Sequence, residues 1–220
     1  MKNTSTSLFR QELNIIPKHE FEEIIMNHQA DKHKQNFDSW SHFVSMIFCQ
    51  LAQANSLREI CGGLKTCGGK LNHPGVDRAP SKSSLSYANQ HRDPKIFKDI
   101  FFMLLKHCQC LAPGHKFTFK KKRWQIESFF KMLKQYFKIK TFVGTSENAV
   151  KIQVWTALIA ILLLKCLKFM SKAQWHFSTL MTFLKWNLFV YRDLQKWLDQ
   201  PCTKPPDPIS LQLEFDFRTA

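Results

Sequence analysis

Apolar residues recur at helical spacing through most of the chain. In FDSWSHFVSMIFCQLAQANS, residues 37–56, Phe43, Ile47, Leu51 and Ala54 fall along one side of a 3.6-residue repeat. The preceding stretch PKHEFEEIIMNHQADK, residues 17–32, opens with Pro17 and carries acids in its first turn, as a helix N-terminus prefers. The two predict a small helical bundle. SLREICGGL adds a short helix with Ser56 as its cap and Gly62-Gly63 as its expected end. Residues 65–79 hold two turn signals, Gly68-Gly69 and Pro74-Gly75, and read as loop. A new helix starts at Pro80 and Ser81, and an amphipathic one runs from Pro94 to Cys110 through Ile96, Ile100, Met103, Leu104 and His107.

The pattern then breaks at LAPGHK, residues 111–116. HKFTFKKK alternates briefly and supports at most one strand, and residues 123–140 resume a helical repeat. FVGTSEN turns the chain, Ser146 can cap a helix from about Glu147 to Phe169, and residues 173–199 carry an aromatic-rich helical pattern. The tail from Pro201 is Pro-rich and reads as extended. VWTALIAILLL, residues 154–164, is shorter than the roughly 20 apolar residues a membrane span needs and is bounded by Lys151 and Lys165. It reads as a buried core helix, and no membrane partner is expected. MKNTSTSLFRQELNIIP lacks the apolar run of a signal peptide, so the expected location is cytoplasmic.

Charge changes the picture more than length does. The 220 residues hold 32 Lys and Arg against 17 acids, a net charge of +15. Residues 115–220 hold 18 of the bases and 7 of the acids, so the excess is concentrated there. Such a field favours a polyanion, with affinity that falls steeply with salt. The seven cysteines are odd in number and match no zinc spacing, which suggests reduced, mostly buried thiols. His73, His107, Cys108 and Cys110 could in principle hold a metal, but scattered core or surface positions are the simpler reading.

Two stretches carry candidate chemistry. Two helices joined by a turn, the second rich in hydroxyl and amide side chains, are what a helix-turn-helix places in the major groove. Here Ser56 to Leu64 would support and Pro80 to Arg92 would read, across a connection of 15 residues that is long for the motif. Ser83, Ser84, Tyr87, Asn89, Gln90 and Arg92 can donate or accept at bases and phosphates, with Leu85 and Ala88 facing inward. An ordinary polar surface helix is the plainer alternative.

The second stretch is RWQIESFFKMLKQYFKIKTF, residues 123–142. At about 100° per residue from Arg123, Glu127 falls near ~40°, Lys134 near ~20° and Lys138 near ~60°, one narrow stripe. Ile126, Phe129, Leu133, Tyr136 and Phe137 lie on the other side. An i,i+4 ion pair from Arg123 to Glu127 would account for the acid by itself, at a few tenths of a kcal/mol. The full spacing suggests more. Arg, three residues, Glu, six residues, Lys resembles the C-terminal signature of the bacterial insertion-sequence transposases of family four, a DDE-type group with a Tyr-x2-Arg-x3-Glu-x6-Lys motif. Arg123, Glu127 and Lys134 match; the Tyr position falls on Lys120, beside Phe119. HFVSMIFCQLAQANSLREICGGL and RAPSKSSLSYANQHRD resemble the N-terminal helical domain of one branch, and NLFVYRDLQKWLDQP resembles the C-terminal end.

The resemblance implies a ribonuclease-H-like core in which two Asp and the Glu bind two Mg2+ or Mn2+ ions for strand cleavage and transfer. Glu127 would be the third metal carboxylate, and Arg123 and Lys134 would contact phosphates or terminal bases of the transposon end; Lys131 and Lys138, bases of the same stretch, are further candidate DNA contacts. Yet only residues 111–122 separate Cys110 from Arg123, and they contain no Asp or Glu. Several strands of ~5 to 6 residues cannot be drawn from that interval. Asp77, Asp93, Asp99, Asp193, Asp199 and Asp216 stand on the wrong elements or in the wrong order.

The expected fold is therefore mostly α: an N-terminal helical DNA-binding domain, residues 1–110, a junction at 111–122, a C-terminal helical remnant of the catalytic core at 123–200 and a Pro-rich tail at 201–220. The expected function is that of an internally deleted, catalytically inactive insertion-sequence transposase that keeps DNA binding in the nucleoid, holds no metal itself and pairs with intact transposase or itself. Two alternatives stand beside it. Glu127 could serve a metal-dependent nuclease or strand transferase if another chain completes the site. Otherwise the product is non-functional, with Phe129, Phe130, Phe137, Trp155 and the 158–164 run exposed where a sheet once lay.

Overall fold

The computed structural model describes residues 6–32, 37–66, 75–76, 78–111 and 143–200. Among them the chain forms α1 (Leu8–Leu13), α2 (Lys18–Asn27), α3 (Ser39–Ala52), α4 (Leu57–Thr66), α5 (Lys82–His91), α6 (Lys95–Leu111), α7 (Glu147–Met170), α8 (Phe177–Asn187) and α9 (Leu194–Asp199). The described residues contain no strand, only an isolated antiparallel bridge between Ser7 and Tyr191. The expected strand in HKFTFKKK and the helix at 123–140 lie outside the described residues.

Short polar side chains set the helix starts. The carboxylate of Asp38 accepts from Ser41 N at 2.7 Å, Ser81 Oγ from Ser84 N at 3.0 Å, Ser146 Oγ from Ala149 N at 3.2 Å and Asp193 from Lys196 N at 3.0 Å. Each satisfies an amide that the first turn leaves unpaired, a contribution of about 1 kcal/mol.

Helix α7 is apolar around its whole circumference, so it can only be stable when surrounded. Helices α3, α5, α6, α8 and α9 all pack on it. Ile152, Ala157 and the run Ile159–Leu164 are buried in one hydrophobic cluster that extends from Leu8 to Leu198. By length and composition α7 could cross a membrane, yet 67% of its most apolar window is buried by the rest of the chain. The exposed apolar surface expected of a remnant is accordingly absent at 159–164, because the N-terminal helices cover it. Trp155 is half-buried and packs on Phe101 and Phe102, at 5.7 and 6.2 Å between ring centroids.

Further along the same interface the Cys108 thiol is pushed up by its hydrogen bond to Cys166 and by burial. Phe101 meets Trp155 and Cys108 meets Cys166, so α6 and α7 run in the same direction. Buried polar groups fix the opposite face: Gln50 Nε2 donates to Gln153 O and to Thr156 Oγ1, each at 3.3 Å, and Gln153 Oε1 accepts from Val143 N at 2.8 Å. Buried hydrogen bonds of this kind specify how α3 sits on α7.

Three elements differ from the sequence expectation. Helix α4 runs through Gly62-Gly63 to Thr66. A Cβ on Gly63 would stand 2.8 Å from Phe48 Cζ, so this glycine allows α4 to approach α3 rather than ending a helix. The pattern at 173–199 divides into α8 and α9, because residues 188–191 leave the helix to pair with the N-terminus: Leu8 N donates to Val190 O and Phe9 N to Leu188 O. Helix α1, which the sequence pattern did not suggest, makes those bonds and inserts Phe9 against Phe48 and Phe189.

Candidate nucleic-acid interface

Helix α5 is split lengthwise by its own sequence. Leu85, Ala88 and Asn89 are buried, while Lys82, Ser83, Tyr87, Gln90 and His91 are exposed. Its first turn gathers hydroxyls: Ser81 Oγ lies 2.9 Å from Ser83 Oγ and 2.8 Å from Ser84 Oγ. Further along, the Tyr87 ring is 66% exposed and stacks on the His91 ring at 4.0 Å, and His91 Nδ1 donates to the Tyr87 carbonyl at 3.0 Å. The exposed bases Arg58 and Lys65 on α4, Arg78 before α5 and Lys82 on it add positive charge nearby. The single acid in α4 and α5 is Glu59, which is exposed and accepts from Asn55 N at 2.8 Å.

Ser83, Ser84, Tyr87 and Gln90 thus share the outer half of the helix, as a reading surface would require. Asn89 and Arg92 do not join them. Asn89 Oδ1 accepts from His42 Nε2 at 2.7 Å inside the core. Burial and the nearby Arg92 charge push His42 down to about 3, against the opposing effect of the Asn89 bond. His42 is therefore neutral at physiological pH, with Nδ1 unpaired. Arg92 donates to Phe37 O at 2.6 Å, Asp38 O at 2.9 Å and Asp31 Oδ1 at 3.4 Å, with its guanidinium 5.6 Å above the Phe37 ring. Both side chains anchor α5 to α3 and its approach. Their polar types were legible in the sequence, but the partners are tens of residues away.

The remaining candidates, Arg123, Glu127, Lys131, Lys134 and Lys138, lie outside the described residues, as do Asp77 and Asp216. The other aspartates named above are engaged: Asp93 accepts from Lys95 N at 2.9 Å, Asp99 from His28 Nε2 at 2.7 Å, Asp193 from Lys196 N, and Asp199 from Lys172 N at 2.8 Å. Among the described residues no three His, Cys, Asp or Glu side chains come together in a way that could hold a metal ion. The described residues therefore do not form a two-metal site.

One buried carboxyl has no mark in the sequence pattern. Glu12 on α1 is fully buried, its two oxygens have no hydrogen-bond partner, and burial pushes it up to about 8. Nothing in LFRQEL distinguishes it from a surface acid; only the docking of α1 on the C-terminal segment buries it.

Comparison with known proteins gives two family matches. A family described as a domain of unknown function (DUF4372) matches residues 4–77, and the transposase DDE domain matches residues 108–163. A Sinorhizobium fredii protein named as transposase y4zB is 33% identical over 90 residues, 41% of this chain and 24% of that protein. A Synechocystis protein named as the transposase of insertion sequence element IS4SA is 49% identical over 47 residues, 21% of this chain and 14% of its own length. A Geobacillus stearothermophilus protein named as the transposase of element IS5377 is 45% identical over 56 residues, 26% of this chain and 15% of its own length. The matched stretches thus span a quarter or less of these relatives. No solved structure matches significantly. Residues 108–163 are thus similar to part of the transposase DDE domain, and the three relatives carry the name of transposases.

Proposed function

We propose that the chain binds DNA, including transposon ends, through the outer half of α5 and the basic residues Arg123, Lys131, Lys134 and Lys138, and that it does not cut DNA unaided. The division of α5 carries this reading: hydroxyls, an amide, an exposed aromatic pair and lysine point away from a core that holds the helix in place. Donors and acceptors on one face of a rigid helix are what phosphate and base-edge contacts require. The family-four assignment, with Glu127 as its third carboxylate, rests on the Arg-x3-Glu-x6-Lys spacing.

Catalysis of strand transfer needs two metals held by carboxylates from several elements. The stretch matching the DDE domain contains two acids, Glu127 and Glu147, and Glu147 is exposed and paired with Lys151 at 2.5 Å. In this reading the chain acts as a DNA-binding relative of the enzyme, located with the nucleoid, and pairs with an intact transposase or with itself. Mg2+ or Mn2+ belongs to the complete enzyme.

Titrating the purified chain against insertion-sequence ends and against random duplex across a salt series tests the proposal. Binding is expected to weaken with salt, with a log-log slope near −0.9 per phosphate contact. No binding of either DNA at low salt would overturn it. A second reading follows from Glu127 standing between Arg123 and Lys134: a nuclease or strand transferase completed by another chain. Nicking of end DNA that needs Mg2+ or Mn2+ and vanishes in Glu127→Gln would establish that reading instead.

A further inference from the structure

Helix α8 presents a second outward face that the duplex-binding reading does not use. Thr179, Thr182, Phe183 and Trp186 recur at i, i+3, i+4 and i+7 and are all exposed. Trp186 is the most exposed large apolar side chain among the described residues, at 76%, and Phe183 is 41% exposed. The face is rigid from below. Phe183 packs edge-on to Trp175 at 5.6 Å and to Trp197 at 5.8 Å, and Trp175 Nε1 donates to Leu198 O at 2.8 Å. A cation is already in place: Lys185 Nζ lies 5.6 Å from the Trp186 ring centroid and donates to Gln53 Oε1 at 3.0 Å on the neighbouring α3.

We infer that this face is a stacking platform for unpaired bases, so that the chain holds single-stranded DNA at α8 as well as duplex DNA at α5. An exposed indole on a fixed helix with an ammonium beside it offers a π-face and a charge together, which is what a single strand presents in complement. A base inside a duplex cannot reach such a ring. Charge selects the occupant. Residues 143–200 hold seven Lys and Arg against three acids, a net +4, and one of the seven, Lys185, stands beside the Trp186 ring itself. A second copy would bring the same +15 toward this surface, whereas a polyanion is attracted to it.

The inference rests on the DNA-binding reading and can fail separately from it. Anisotropy titrations use labelled oligothymidylate and a labelled duplex, with the wild-type chain, Trp186→Ala, Trp186→Phe and Lys82→Ala. Trp186→Ala is expected to weaken oligothymidylate binding roughly tenfold, the scale of one lost stacked base, and to leave duplex binding unchanged. Trp186→Phe should recover most of the loss, and Lys82→Ala should weaken duplex binding alone. An unchanged melting temperature in Trp186→Ala confirms that the fold is intact. Equal oligothymidylate affinity in wild type and Trp186→Ala overturns the inference while leaving duplex binding at α5 standing. So does a Trp186-dependent shift to dimer in sedimentation, or Trp186-dependent binding to anionic vesicles, without an effect on oligothymidylate. Failure to bind either DNA overturns the function proposed above together with this inference.

Discussion

Helices α5 and α7 touch, and they treat polar residues in opposite ways. In α7 the polar Gln153 and Thr156 turn inward, where Gln50 Nε2 donates to Gln153 O and Thr156 Oγ1 and Thr156 Oγ1 donates to Gln153 O. In α5 the inward amide, Asn89, meets His42, while Ser83, Tyr87 and Gln90 remain toward solvent. A polar residue in a helix is thus no indication of a site until its partner is known. The inward ones align helices, and the outward ones are available to a ligand. A third condition is seen at α1, where Glu12 is inward and unpartnered.

That third condition yields the largest expected effect. A carboxyl raised from 4.5 to about 8 by folding contributes stability that is complete below pH 4.5 and is lost as pH rises to about 8. The slope is about 1.4 kcal/mol per pH unit. His42 has the opposite sign: lowered from 6.5 to about 3, it contributes stability that is complete above pH 6.5 and is lost as pH falls toward 3. The two slopes cancel between pH 4.5 and 6.5. Melting temperature from these groups should therefore be level there and fall on both sides. Glu12→Gln should remove the alkaline fall and leave the acid one, as a pH series of thermal melts would reveal.

Next in size is Leu163→Ala in the centre of α7, expected to cost about 2 to 5 kcal/mol in denaturant titrations because the site is closed on every side. A loss under 1 kcal/mol would mean that α7 is not the shared core of the N- and C-terminal helices. Asn89→Ala should cost about 1 to 3 kcal/mol, since it strands the buried His42 donor. The outer face of α5 should show the reverse pattern. Tyr87→Ala is expected to change stability by less than about 0.5 kcal/mol and to weaken duplex binding, which a melt and an anisotropy titration on the same preparation would separate. If Tyr87→Ala destabilised the chain as much as Asn89→Ala, the division of α5 into inner and outer halves would be wrong.

Much of the helical layout was legible because it is local. Ser81, Ser146 and Asp38 cap helices whose apolar spacing was plain, and α6 and α7 begin and end within a few residues of the expected positions. The misreadings share a different cause. Gly62-Gly63 has the composition of a helix end, but Phe48, in another helix, decides what Gly63 is for. The pattern at 173–199 looked continuous until residues 188–191 found backbone partners at Leu8 and Phe9, at the far end of the sequence. Of the candidate interface, Ser83, Ser84, Tyr87 and Gln90 lay on the expected side, whereas Asn89 and Arg92 were drawn inward by His42, Phe37 and Asp38.

By itself the sequence determined where α2 to α7 start, which of their faces are apolar, the basic excess and the spacing of Arg123, Glu127 and Lys134, because each depends on neighbours within a turn or two or on a simple count. The tertiary structure alone decided that α7 is enclosed by helices from both ends of the chain, that Glu12 is buried without a partner, and that Trp186 stands exposed beside Lys185. Those outcomes depend on contacts between residues far apart in the chain. The free energy of burying or exposing a side chain is set by what the fold brings against it, and no local pattern records that.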